Sequence, residues 1–238
     1  MENKLFNLPV HVSNKKQRFK KIIHIMVKMK FQIRDAVMPL VILNVVFFIL
    51  QNVLGREFTN AFILVGGDVF TRPWIMITSM FLHGSPYHLL FNMYVLYAFG
   101  PLLEQRIGTN RFVFIYFLSG ILAALIASFF YPLSLGASGA IMGMLGVLII
   151  LMPDLRLLFF FVVPMQLWMA AIFIVLIDVF GIFFPTGAGN IAHLVGMGAG
   201  LLYGLYLKKQ RKSFHKKFSS KSHLGSEDME EYLRSGRI

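Results

Sequence analysis

The stretch GASGAIMGMLGVLIILMPD, residues 136–154, decides the fold. From Ser138 to Met152 it holds no charged side chain, and Pro153-Asp154 closes it. Residues 138–152 rise only about 22 Å as an α-helix, whereas a bilayer hydrocarbon core is roughly 30 Å thick. The stretch reads as a membrane span that is anchored at its inner end by Pro153-Asp154 and starts below the outer surface. Residues 132–137 then lie at membrane depth, where non-helical backbone is tolerated only when buried in protein or lining a water-filled cavity. A hydrolase needs that water.

Outward from this stretch the solvent stays the same. Hydrophobic residues make up 57% of the 238 residues and charged ones 14%, with the charges gathered at the two ends. A soluble domain needs charge spread along its length, which this chain lacks between Val37 and Leu207. A span takes about 20 apolar residues, and six segments read as spans: 36–54, 86–104, 111–131, 138–152, 165–184 and 190–207. The expected fold is all-α, a polytopic membrane protein with a six-transmembrane-helix bundle over 36–207. A basic segment, 1–35, precedes the bundle and a basic, polar tail, 208–238, follows it.

The net charge of +12 does not indicate nucleic acid, because of where it sits. Lys15, Lys16, Arg18, Lys20, Lys21, Lys28, Lys30 and Arg34 precede the first span. Lys208, Lys209, Arg211, Lys212, Lys216 and Lys217 follow the last. Such flanks hold both termini in the cytoplasm, which requires an even number of crossings of the cell membrane. The first 35 residues lack the apolar core of a cleavable signal peptide, so the first span is expected to stay in the mature chain. Residues 18–34 read either as a helix on the inner surface or as a solvated basic arm. The tail after Lys217 has the composition of a partly disordered segment. The outer connection 55–85 is long enough to be functional or to have structure of its own, and is expected in the outer interface with Trp74 as an anchor. With no cysteine there is no disulfide framework.

Polar groups inside spans are costly, so each needs a reason. The candidates are His88 and Asn92 on the second span, Ser138 on the fourth, Asp178 on the fifth and His193 on the sixth. Measured from the inner ends of their spans, Ser138 and His193 lie about 22 and 21 Å up, Asn92 and His88 about 18 and 24 Å. These four share one level, roughly 8 Å below the outer edge of the core. Gly139, Gly143 and Gly146 form a small-residue stripe on the fourth span, and Gly196, Gly200 and Gly204 another on the sixth. Packed together, as such stripes allow, they would set Ser138 against His193.

A serine at a helix start also suits a capping role; the glycines and the histidine at matched depth favour a nucleophile. His193 would take the hydroxyl proton and return it to the leaving amine, in a site opening to the extracellular side. Asn92, His88 and the Ser138 backbone N–H would serve the tetrahedral oxyanion, with His88 and Asn92 at i and i+4 on one face. Asp178 either orients His193, supports a gate at the fifth span, or is a protonated carboxyl bridging two helices, the last being the favoured reading. His83 reads as a loop or interface residue. Glu104 and Arg106 are expected to bond to each other or to nearby backbone, and Trp168 to face lipid or fill the core.

Four motifs carry a resemblance. Gly136-Ala137-Ser138-Gly139, Ala192-His193-Leu194-Val195-Gly196 followed by Gly200, His88-Leu89-Leu90-Phe91-Asn92 and Glu104-Gln105-Arg106-Ile107-Gly108 together resemble the rhomboid family of intramembrane serine proteases, in its prokaryotic six-span core type. The similarity runs from about Trp74 to Tyr203. It implies a Ser138–His193 dyad without an essential acid, His88 and Asn92 as oxyanion partners, and no metal or cofactor. It also implies cleavage of single-pass membrane proteins in the lipid bilayer, near the outer face. Two positions depart from the pattern. Met142 stands where an aromatic residue often packs on the base, and Trp74-Ile75, with Arg72 on the other side, replaces a Trp-Arg pair in the first loop. An inactive rhomboid-like protein that binds or escorts membrane clients is the alternative, but it usually loses the Ser or the His, and both are here. A small-solute transporter would show internal repeats and broken helices in matched halves, which this sequence lacks.

Overall fold

The computed structural model describes residues 35–159, 163–184 and 189–218. The readings of a surface helix or basic arm at 18–34 and of a partly disordered tail beyond Phe218 lie outside the described residues. Among the described residues the chain forms α1 (Val37–Phe62), β1 (Leu64–Val65), α2 (Ile75–Thr78), α3 (Pro86–Ile107), α4 (Thr109–Ala127), β2 (Leu133–Ser134), α5 (Ser138–Leu151), β3 (Arg156–Phe159), β4 (Val163–Gln166), α6 (Leu167–Phe183) and α7 (Asn190–Phe218). The six long helices answer to the six expected segments, and their ends differ for physical reasons. α1 kinks at Gly55 (φ 73°, ψ −150°), which only glycine adopts readily, and then resumes as far as Phe62. α4 stops at Ala127, short of 131, ahead of Pro132, which disfavours helix in the residue before it. α7 runs past Leu207 to Phe218 because Lys, Arg and Gln are good helix formers once outside the apolar layer. The connection between α5 and α6 holds a hairpin that the sequence did not announce, with Arg156 paired to Gln166 and Phe159 to Val163.

Among the described residues three helices can, by length and composition, cross a membrane: α1, α4 and the Asn190–Arg211 part of α7. α5 and α6 are apolar but shorter. α3 begins at Ser85, whose Oγ accepts from the His88 N–H (3.2 Å), with Pro86 in the first turn.

The core lies around α5, which packs between α4 and α7 and buries Gly139–Ile141 and Gly143–Leu148. α5 and α7 run parallel with their backbones touching. A Cβ on Gly196 would overlap the Gly139 carbonyl, and one on Gly200 the Gly143 carbonyl. In an apolar solvent helices gain little from hiding apolar surface, so this closeness is what dispersion requires. On the other side of α5, Ser119 of α4 fits against Gly143 while its Oγ donates to the Ile115 carbonyl at 2.6 Å.

α1 joins α3 at one end through Glu104, 4% exposed, whose two oxygens accept from the Ala36 N–H at 2.9 and 3.1 Å. The carboxylate thus sits at a helix N-terminus, where the macrodipole favours it, and the expected bond is to backbone while Arg106 is exposed. The long first connection has structure of its own. Leu64, Val69 and Ile75 bury against Ala123, Ala124 and Ala127 of α4, and Trp74 stays half exposed. Arg72 holds this loop: its guanidinium donates to the carbonyls of Asn60 (3.0 Å) and Ala61 (2.8 Å) and meets Asp68 at 3.3 Å. Ile75 is left free to fill the core.

Candidate active site

The irregular backbone before α5 is paired with the first connection at Pro132, Leu133, Ser134 and Gly136. Leu64 and Val65 pair with Ser134 and Leu133. The Gly66 N–H donates to the Pro132 carbonyl (3.0 Å), and the Gly136 N–H to that of Ser79 (2.9 Å). Gly136 has φ 122°, and a Cβ there would stand 2.7 Å from His88 Cε1 and 2.9 Å from its Nε2. Glycine is therefore required twice over, for its conformation and for the approach of His88. The helix then opens on Ala137 as its N-cap, with no side chain capping it. Ser138 is the first helical residue, so the capping role does not occupy its hydroxyl.

Ser138, His193, His88, Asn92, Gly136 and Met142 line one cavity of about 1010 Å³. Ser138 precedes the Gly139–Gly196 crossing by one residue and His193 precedes it by one turn, which brings both to the mouth of the same helix pair. Asn92 is 4% exposed, and its amide N–H donates to His83 Nε2 at 3.0 Å. An amide nitrogen carries a second N–H besides the one given to His83.

His83 lies in the loop before α3, as read from the sequence, and it is buried there. It is 2% exposed, its N–H donates to Gln51 Oε1 (2.9 Å), and its ring meets that of His88 edge-on, with centroids 4.9 Å apart. Burial, and then the neighbouring His88, lower its pKa to about 4, so at neutral pH it is uncharged and can accept from Asn92.

Asp178 bridges α6 and α7, and its partner is the candidate base. Its Oδ1 lies 2.9 Å from His193 Nδ1, and the two side chains are 6% and 18% exposed. One turn away on the same helix pair Gly181 receives the side chain of Asn190. The Tyr131 hydroxyl accepts from the Ile191 N–H (3.2 Å), linking the start of α7 to the segment before α5.

These features define a polytopic helical membrane bundle with a largely apolar cavity, holding Ser138, His193, His88 and Asn92, at the mouth of its central helix pair. The rhomboid domain model matches residues 71–210, and the chain belongs to the rhomboid family. It is similar to Rhomboid protein 1, mitochondrial, of Saccharomyces cerevisiae, at 35% identity over 164 residues, 64% of this chain and 47% of that protein. It is also similar to RHOMBOID-like protein 6, mitochondrial, of Arabidopsis thaliana, at 30% over 161 residues, 67% and 52%. A third relative is the rhomboid protease GluP of Bacillus subtilis, at 32% over 128 residues, 53% and 24%. The chain spans about half the length of the first two relatives and a quarter of the third.

Proposed function

We propose that the chain is an intramembrane serine endopeptidase. Ser138 is the nucleophile and His193 the general base and then acid. Asn92, His88 and the Ser138 backbone N–H receive the oxyanion. The observation that carries this reading is the cavity shared by Ser138 and His193 at the Gly139–Gly196 crossing, with the serine hydroxyl released from capping. In the reaction Ser138 Oγ attacks the scissile carbonyl while His193 takes its proton, and the same proton then goes to the leaving amine. Water completes the second half by the reverse sequence. The oxyanion donors are in place before any charge develops, because the His83–Asn92 bond and the packing of His88 on Gly136 hold them there.

The substrates are single-pass membrane proteins, whose helix must unwind locally before a carbonyl can meet Ser138. All six long helices cross the cell membrane, α5 doing so from a start below the outer surface. Both termini are cytoplasmic and the cavity opens to the extracellular side, with 36–207 as the catalytic domain between the segments 1–35 and 208–238. The basic runs on both flanks support that orientation. The test is reconstitution in liposomes with a membrane-anchored reporter, comparing wild type with Ser138→Ala and His193→Ala. Cleavage by wild type that both variants abolish is expected; equal cleavage by all three would sink the dyad.

A further inference from the structure

We propose that Asp178 is a positioning residue for His193, completing a chain from Asp178 through His193 to Ser138. The inference rests on the protease reading above. Asp178 is the one ionisable side chain in α6, a helix otherwise built of apolar residues and one glycine. An ionisable group in such a helix is costly and calls for a partner. The carboxyl is 6% exposed, and Oδ1 lies 2.9 Å from His193 Nδ1. The adjacent contact holds the pair in register, because a Cβ on Gly181 would overlap the Asn190 side chain and α6 and α7 therefore meet closely one turn away.

Two proton arrangements fit this distance, with opposite consequences. With Asp178 as a carboxylate, Nδ1–H donates to Oδ1 and Nε2 keeps its lone pair for the Ser138 proton. With a protonated carboxyl, the Asp178 O–H donates to Nδ1, the ring proton moves to Nε2, and His193 cannot act as base. The first arrangement is the one that serves the reaction, and the carboxylate then faces the imidazolium formed as Ser138 attacks. The Oγ proton passes to Nε2 and on to the leaving nitrogen, while Asp178 neither gains nor loses one. Met142, which lines the same cavity, is a flexible thioether that fills space without fixing a ring. A hydrogen bond to Nδ1 fixes both the rotation of the ring and its tautomer.

The test pairs ¹⁵N NMR of the imidazoles with kinetics on Asp178→Asn, Asp178→Ala and Asp178→Glu, using the full chain in nanodiscs. The His193 signal is assigned by its loss in His193→Ala. Wild type is expected as the Nδ1–H tautomer, and that preference is lost in the Asn and Ala variants. Their kcat on the reporter falls by at least about 10-fold with KM nearly unchanged, and Asp178→Glu recovers part of it. An Nε2–H tautomer in wild type overturns the proposal. So does Asp178→Asn at wild-type kcat, whatever Asp178→Ala does to folding. Should wild type neither cleave nor label at Ser138 with a fluorophosphonate, the protease reading fails, and the tautomer still decides whether Asp178 sets the ring.

Discussion

Replacing Gly136 with alanine adds one methyl group where the chain passes beneath His88 on its way into α5. Two costs follow from the structure. A residue with a side chain at φ 122° is strained by roughly 1–3 kcal/mol. The new Cβ would also stand 2.7 Å from His88 Cε1, so the ring must retreat to at least 3.4 Å. His83, buried and bonded to Asn92, meets the same ring edge-on, so a shift of His88 is passed toward Asn92, the second proposed oxyanion donor. A displacement approaching 1 Å at groups that must meet a developing charge costs on the order of 100-fold in rate. We expect Gly136→Ala to lower the rate of Ser138 labelling by a fluorophosphonate by about that factor and to lower the thermal midpoint in detergent by several degrees. Gly84→Ala is the control, because its Cβ would meet only Leu135 Cδ1 at an ordinary 3.7 Å. Wild-type labelling and a wild-type midpoint for Gly136→Ala would refute the reasoning.

Gly196→Ala and Gly200→Ala should each cost about 1–3 kcal/mol or prevent assembly, since no side chain can move to relieve a Cβ set against a carbonyl. Gly198→Ala, which meets nothing within 4 Å, should be neutral or stabilising; thermal unfolding in one detergent compares them. Arg72→Ala should free the first loop by about 1–2 kcal/mol, seen as faster amide exchange at 60–72 while the α5 amides keep their protection. His83 is neutral in the fold with a pKa of about 4 against 6.5 unfolded, so the unfolded chain binds the extra proton as pH falls. Stability from this site is therefore complete above about pH 6.5 and declines toward pH 4, and His83→Gln should flatten that part of a midpoint-against-pH curve.

The parts of the molecule governed by solvent were legible in the sequence. Hydropathy located all six long helices, and the glycine stripes predicted the α5–α7 contact. The parts governed by which face turns where were not. α6 is apolar all round, so nothing in its pattern says that Asp178 points to α7. Arg72 reaches Asn60 and Ala61 only because the chain kinks at Gly55, and a lone glycine in an apolar run does not announce a kink. His83 was legible as a loop residue, but its burial was not, because it depends on Gln51, 32 residues back, and on Asn92, nine residues on. The β3–β4 hairpin follows a proline and an aspartate that mark only the end of α5.

The segment before α5 takes its hydrogen bonds from the main chain of the first loop, at Leu64, Val65, Gly66 and Ser79. A bond between two main chains is blind to side chains. At these points the loop acts as a peptide solvent for a stretch of backbone that neither lipid nor a helix can satisfy. Its tolerance of change should therefore be lopsided. Substitutions at exposed positions such as Phe70 leave the pairing intact, whereas inserting or deleting a single residue between Gly66 and Ser79 slides one donor away from Pro132 or one acceptor away from Gly136. Length, more than identity, is what this loop has to keep.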